Sequence, residues 1–334
     1  VIVSEYNPSI QALLDETVDD WGDPKLNREG LVPYGIKLID QALYGIDTLN
    51  GEVSVIIAPE KQRKTTLAVN ILCNYMTSPK PKVKPFTVVD TLETGMHPKR
   101  YRDTLISNMA TRVLMGGGHR YKTYCPACDL AQCAHLGISP EFLRYNTRTN
   151  EQTKAISTAM QIMREWPLFI FGANPYQGNT RNLDVSIKRK DNRWLSVIEQ
   201  FGAKIFIVDH VQQYSFADEP TDYEKQLRAV AAIGDIVAQE HVVCLLLSQV
   251  SLTSIRDNKS GTGRLMAAGG GKAQQEANVT FSVSYTQNSG EMKITIEESR
   301  KSGTFSVYQS IEDTSGAFYG DAREFYSPKS NTAE

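Results

Sequence analysis

Short apolar runs, rich in β-branched residues and spaced by helical segments, constrain this chain more than any other feature. VSVIIA (53–58), FTVVDTL (86–92), PLFIFG (167–172), KIFIVD (204–209) and VVCLLLS (242–248) show no clean alternation of apolar and polar positions. Such continuity predicts strands buried on both faces, as in a parallel sheet. Helical segments predicted over 64–77, 97–115, 152–165, 182–201 and 223–240 separate most of the runs. Strands alternating with helices give an α/β fold with a mostly parallel, twisted sheet. Three later runs within 279–319, FSVSYTQ, MKITIEES and TFSVYQS, alternate instead. They predict antiparallel edge strands joined by hairpins at the C-terminal end of the domain.

The chain divides into residues 1–30, a main domain over 31–320 and a tail over 321–334. Within the first part, 9–21 predicts an amphipathic helix with Leu13, Leu14 and Val18 on one face, followed by a polar linker containing Gly22, Pro24 and Gly30. The 334 residues suffice for one large core with insertions. No apolar run reaches the roughly 18 residues that a membrane span needs. The N-terminal VIVSEYNPSIQ lacks the basic-then-apolar pattern of a secretory signal. A cytoplasmic location without membrane contact is expected. The absent initiator methionine suggests a fragment or a processed chain. A net charge of −2 means that any nucleic-acid partner is held by local basic loops rather than by the whole surface.

One polar segment stands where a buried strand passes into a helix. Ala58, Pro59, Glu60, Lys61, Gln62, Arg63, Lys64, Thr65 and Thr66 occupy the position of a phosphate-binding loop. Backbone N–H groups at a helix N-terminus hold phosphate oxygens. Lys64 would reach the β- and γ-phosphates of ATP, and the Thr65 hydroxyl would bind Mg2+. Ala58 and Arg63 stand where the G-x-x-x-x-G-K-T pattern has glycine. Polar groups also end the other predicted strands. Asp209 closes KIFIVD and would hold magnesium; Glu93 follows VVDTL and could deprotonate the attacking water, with Asp90 a rival; Gln249 follows VVCLLLS and could sense the γ-phosphate.

Cysteines mark a second site. Of the five, Cys125, Cys128 and Cys133 cluster, while Cys73 and Cys244 sit alone in apolar stretches, which fits a reducing compartment. Cys125, Cys128, Cys133 and His135 have the ligand types for a small structural Zn2+ knuckle within an insert over 116–138, with His119 an alternative ligand. Basic residues cluster at Lys80, Lys82 and Lys84 and again at Lys188, Arg189, Lys190 and Arg193, where solvated surface charge is the simpler reading. The glycine-rich segment 258–272, with Lys259, Arg264, Gly270, Gly271 and Lys272, is the better candidate for tracking single-stranded DNA.

Taken in order, these segments resemble the DnaB-type replicative DNA helicases over roughly residues 8–320. LVPYGIKLIDQALYGI resembles the segment before the family's first core strand, and IIAPEKQRKTTLAVNIL its phosphate loop and helix. DTLETGM resembles the segment with the catalytic glutamate (Glu93), IVDHVQQY the magnesium strand (Asp209, then Gln212), and LLLSQVS the sensing strand (Gln249). RLMAAGGGKAQQEANVTFSV resembles the DNA-binding loop, and ITIEESRKSGTFSV the segment that supplies an arginine finger to the next subunit, here Arg300. Phage primase-helicases share this motor. The resemblance implies a RecA-like P-loop ATPase core, a homo-oligomeric ring, commonly a hexamer, and a primase or helicase loader as partner. Departures are Arg63, Glu298 where the family has lysine, and Ala267-Ala268-Gly269 where it has arginine. Two other readings suit the same core: a nucleotide- or DNA-binding scaffold with weak ATPase, and a RecA- or KaiC-like ATPase that unwinds nothing.

Overall fold

Period-two packing explains the apolar runs. In a computed structural model of the chain, described for residues 30–79, 83–91, 98–115, 137–141, 143, 149–172, 192–210, 222–250, 274–275, 277–286, 290–313 and 315–324, the main sheet has nine strands. Val53, Val55 and Ile57 face one side layer, whereas Ile56 and Ala58 face the other. Phe206 and Val208 likewise oppose Ile205 and Ile207, and Cys244 and Leu246 oppose Val243, Leu245 and Leu247. With helices on both faces, every position of these strands is covered, so none needs to be polar.

Chain order is β1 (Leu31–Val32), α1 (Lys37–Leu43), β2 (Ile46–Asp47), β3 (Glu52–Ala58), α2 (Lys64–Thr77), β4 (Phe86–Thr91), α3 (Pro98–Leu114), α4 (Asn150–Met163), β5 (Leu168–Gly172), α5 (Arg193–Phe201), β6 (Ala203–Asp209), α6 (Asp222–Glu240), β7 (Val243–Gln249), β8 (Val279–Thr286), β9 (Glu291–Ser299), β10 (Phe305–Ile311) and β11 (Phe318–Glu324). The sheet order is β11-β10-β9-β8-β3-β7-β6-β4-β5. Helices α1 to α4 contribute to the core on one face, and α5 and α6 to the core on the other. The expected α/β class with a mostly parallel sheet is the observed one, and no helix among the described residues is long and apolar enough to cross a membrane.

Three details differ from the sequence reading. Strand β8 pairs antiparallel with β9, and β9 with β10, as expected of the C-terminal runs, but β8 also runs parallel to β3 and so is not an edge. It is therefore the strand at which the sheet changes sense. A further strand, β11, carries the sheet on to Glu324. Strand β5 is only half-buried, with Phe169 43% exposed, because it pairs with β4 alone and ends the sheet.

Polar groups fasten the opening segment to the central strand. Glu52, 1% exposed, accepts hydrogen bonds from the Tyr34 hydroxyl (3.1 Å), the Asp47 backbone N–H (3.0 Å) and Lys301 Nζ (2.5 Å). Lys301 also donates to the Gly45 carbonyl at 2.9 Å. A buried carboxylate needs such partners, since an isolated charge in the interior is strongly disfavoured.

Candidate nucleotide site

Parallel pairing brings the carboxyl ends of five strands level. Ala58 of β3 is in register with Gln249 of β7, Leu247 of β7 with Asp209 of β6, Asp209 with Thr91 of β4, and Thr91 with Gly172 of β5. This edge is where open α/β sheets bind ligands. From it the chain leaves β3 through Pro59–Arg63 and enters α2 at Lys64.

Sequence neighbours and distant residues meet here. Lys64 Nζ arches back over the loop and donates to the carbonyls of Ala58 (3.1 Å) and Pro59 (3.3 Å). The Thr65 hydroxyl donates to Asp209 Oδ2 at 2.7 Å, joining residues 144 apart in sequence. Asp209 is 2% exposed and lies on the same sheet face as Ile205 and Ile207, the α2 side. A hydroxyl and a carboxylate oxygen held side by side are hard donors suited to Mg2+, which binds through few protein ligands and keeps several waters. Arg63, the residue before α2, provides no side-chain cap to the helix. With no side-chain cap from Arg63, the first-turn N–H groups suit a phosphate.

Asp90 is excluded from this mouth by parity. It is fully buried and accepts from Trp194 Nε1 at 3.4 Å, on the face that packs against α5. Asp209 and Asp90 look alike in sequence; their opposite faces separate them. Gln249 is half-buried at the end of β7, and Val250 N–H donates to the Ala58 carbonyl at 3.2 Å, tying that strand end to the loop.

Arg63 explains why glycine is usual at its position. Its backbone is left-handed, φ 62° and ψ 36°, and Lys61 has φ 61°. A residue with a Cβ in this region costs roughly 1–2 kcal/mol that glycine avoids. The Arg63 guanidinium lies 4.1 Å from the centroid of the Tyr285 ring and donates to the Asp313 carbonyl (3.2 Å) and Oδ1 (3.5 Å). Burial lowers its pKa, while the charges of Asp313 and Glu312 act in the opposite sense.

Two supporting groups escaped the sequence reading. Asn70 of α2 donates to the carbonyls of Thr66 and Gly316, both at 2.8 Å, and accepts from Phe318 N–H (2.9 Å) and Arg112 (2.6 Å). Gly316 has φ +72°, and a Cβ there would stand 2.7 Å from Thr66 Cγ2, so the turn before β11 can rest against the loop helix only as glycine. Tyr101 of α3 is fully buried, and its hydroxyl has no hydrogen-bond partner among the described residues. Burial, and then the negative charge of Asp209, push this phenol well above its ordinary pKa. Polar residues inside an apolar helix face, such as Asn70 and Asn74, were the available signal for the first group.

Arg300 lies at the other end of the sheet. Its N–H donates to the Asn278 carbonyl, Asn278 N–H donates to the Val53 carbonyl, and its side chain is exposed. It therefore sits level with Val53, five residues before Ala58 in the same strand. At about 3.3 Å per residue, the loop of residues 59–63 in the same chain is beyond its reach. It makes no side-chain hydrogen bond or ion pair among the described residues, so the alternative of pairing with Glu297 or Glu298 is not realised there. Glu93, Gln212, the expected zinc ligands Cys125, Cys128, Cys133 and His135, the expected DNA-binding residues Arg264, Gly270, Gly271 and Lys272, and the helix expected over 9–21 lie outside the described residues.

No family model matches the chain, and no curated protein matches it by sequence. Solved structures do. An ATPase domain of known structure superposes with a TM-score of 0.69 at 15% identity, covering 94% of this chain and 99% of that one. A DnaB-like replicative helicase, solved in a study of its interactions with primase, gives a TM-score of 0.67 at 17% identity, covering 94% and 67%. The chain thus has the RecA-like fold of the ATPase domains of DnaB-like replicative helicases.

Proposed function

We propose that the chain is an ATP-dependent motor that moves along single-stranded DNA as a homo-oligomeric ring, most simply a hexamer, hydrolysing ATP at subunit interfaces. The observation that carries this reading is the hydrogen bond from Thr65 to Asp209 beside Lys64, at the carboxyl edge of the parallel sheet. Those residues would hold Mg2+, which supplies charge neutralisation to the phosphates when bound. Lys64 exchanges its loop carbonyls for phosphate oxygens, and the first-turn amides of α2 orient the chain of phosphates. Glu93 takes the proton of the attacking water, and Gln249 reads the γ-phosphate. Arg300, too far from its own loop and exposed, serves the neighbour's site. The segment with Arg264, Gly270, Gly271 and Lys272 tracks the DNA backbone. A primase or helicase loader is the expected partner. The cysteine cluster adds one structural Zn2+, so metal analysis should find about one zinc per chain; no zinc and freely titratable thiols would remove it.

The test is the ATPase rate of the full chain with and without single-stranded DNA. Stimulation of several-fold is expected. Turnover indifferent to DNA would favour a regulatory RecA- or KaiC-like ATPase. No turnover by assembled, DNA-bound protein would favour a scaffold, the reading that Arg63 in the glycine position supports.

A further inference from the structure

Arg63 stands at one of two left-handed backbone positions of the loop, and its side-chain contacts point away from an inert substitution. The guanidinium lies over the Tyr285 ring at 4.1 Å and donates to both the carbonyl and the carboxylate of Asp313. The Tyr285 hydroxyl donates to the same Asp313 carboxylate, so ring, carboxylate and guanidinium close a triangle. Next door, Gln62 Oε1 accepts from the Tyr285 backbone N–H at 2.7 Å. Two consecutive loop residues are therefore fastened to β8, and one of them also to the turn after β10.

Glycine at this position leaves a loop free both to adopt the left-handed conformation and to abandon it. Arginine adopts it less readily, so something must hold it there. We propose that Arg63 is a positioning residue of the nucleotide site, tethering the phosphate loop to β8 and the β10–β11 turn through Tyr285 and Asp313. The tether replaces glycine's freedom with an external anchor and presents the amides of residues 61–65 in one arrangement. Its guanidinium is engaged by an aromatic face and a carboxylate, both of which compete with phosphate for it. The role is thus to hold the loop rather than to contact the γ-phosphate. This inference rests on the nucleotide-site reading for its purpose, but the tether itself can be tested without nucleotide.

Two measurements on the full chain decide it: backbone amide hydrogen exchange across residues 59–66 without nucleotide, and affinity for a fluorescent ADP with Mg2+. Arg63→Gly, Tyr285→Leu and Asp313→Ala are each expected to speed loop exchange and to weaken ADP binding by about tenfold. Tyr285→Phe, which keeps the ring but loses the hydroxyl bond to Asp313, should fall between wild type and Tyr285→Leu. The double variant Arg63→Gly/Tyr285→Leu should be no worse than either single change, because both remove one contact. In turnover, KM should rise while kcat holds. The tether is overturned if exchange is unchanged in all variants, if the double variant is additive, or if Arg63→Gly alone lowers kcat while Tyr285→Leu does nothing, the pattern of direct phosphate contact. Wild-type protein that binds no ADP would sink the proposed function, and the exchange data would still decide the tether.

Discussion

Lys64→Ala should lose ATP turnover by at least about a hundredfold, and mixing it with Arg300→Ala should bring part of that turnover back. The ammonium of Lys64 sits 3.1 Å and 3.3 Å from the carbonyls of Ala58 and Pro59, over the loop where phosphate would bind. Alanine removes the ammonium at that position and leaves the developing charge of the transferred phosphoryl group unmatched. Arg300→Ala should be about as severe, since an arginine finger is worth roughly 10³–10⁵ in rate. The two lesions lie on different chains at any one interface. In an equal mixture about a quarter of the interfaces unite an intact Lys64 with an intact neighbouring Arg300. Turnover in mixed rings, measured against each variant alone, checks the assignment; mixed rings as inactive as the pure variants would remove Arg300 from the neighbour's site.

The second large effect is on stability. Lys301→Met should destabilise the fold by about 3 kcal/mol, the lower part of the range for breaking a buried ion pair because Lys301 keeps some solvent contact. Glu52 is 1% exposed and takes its shortest hydrogen bond from Lys301 Nζ, at 2.5 Å. Without that cation, a carboxylate stays in the core with, among the described residues, the Tyr34 and Ser54 hydroxyls and the Asp47 N–H as its remaining donors. Thermal unfolding should show Tm falling by about 5–10 °C. Replacing both members, Glu52→Gln with Lys301→Met, should recover most of the loss, because the cost arises from the orphaned charge rather than from the missing contact. A double variant as unstable as Lys301→Met would show that the lysine matters for packing alone. Since Lys301 follows Arg300 directly, the same ion pair anchors the segment that carries Arg300.

Much of the core was legible in order along the chain. Strand and helix identities came from local periodicity, which depends only on near neighbours. The candidate phosphate loop was marked by its place between a buried strand and a helix, a feature of backbone geometry that does not depend on either glycine. Asp209 came from the same logic, as a lone carboxylate ending an apolar run.

What the linear pattern could not carry was everything set by pairing at a distance. Backbone hydrogen bonds are the same for every residue, so nothing local says that β8 runs parallel to β3 or that β11 extends the sheet. Nor does it say that β5 is left at the edge. Asp90 and Asp209 carry the same chemistry, and only the packing of α2 on one face and α5 on the other puts Asp209 beside Thr65 and Asp90 beside Trp194. Arg63 read as a defect because its partners, Tyr285 and Asp313, lie more than 200 residues away along the chain. Arg300 could be placed away from the loop of its own chain only once the register put it level with Val53. The order of elements was thus written in the sequence, because each element answers to its own burial. Which residues meet was decided by the tertiary structure, because contact depends on strand order and face, and neither is a local property.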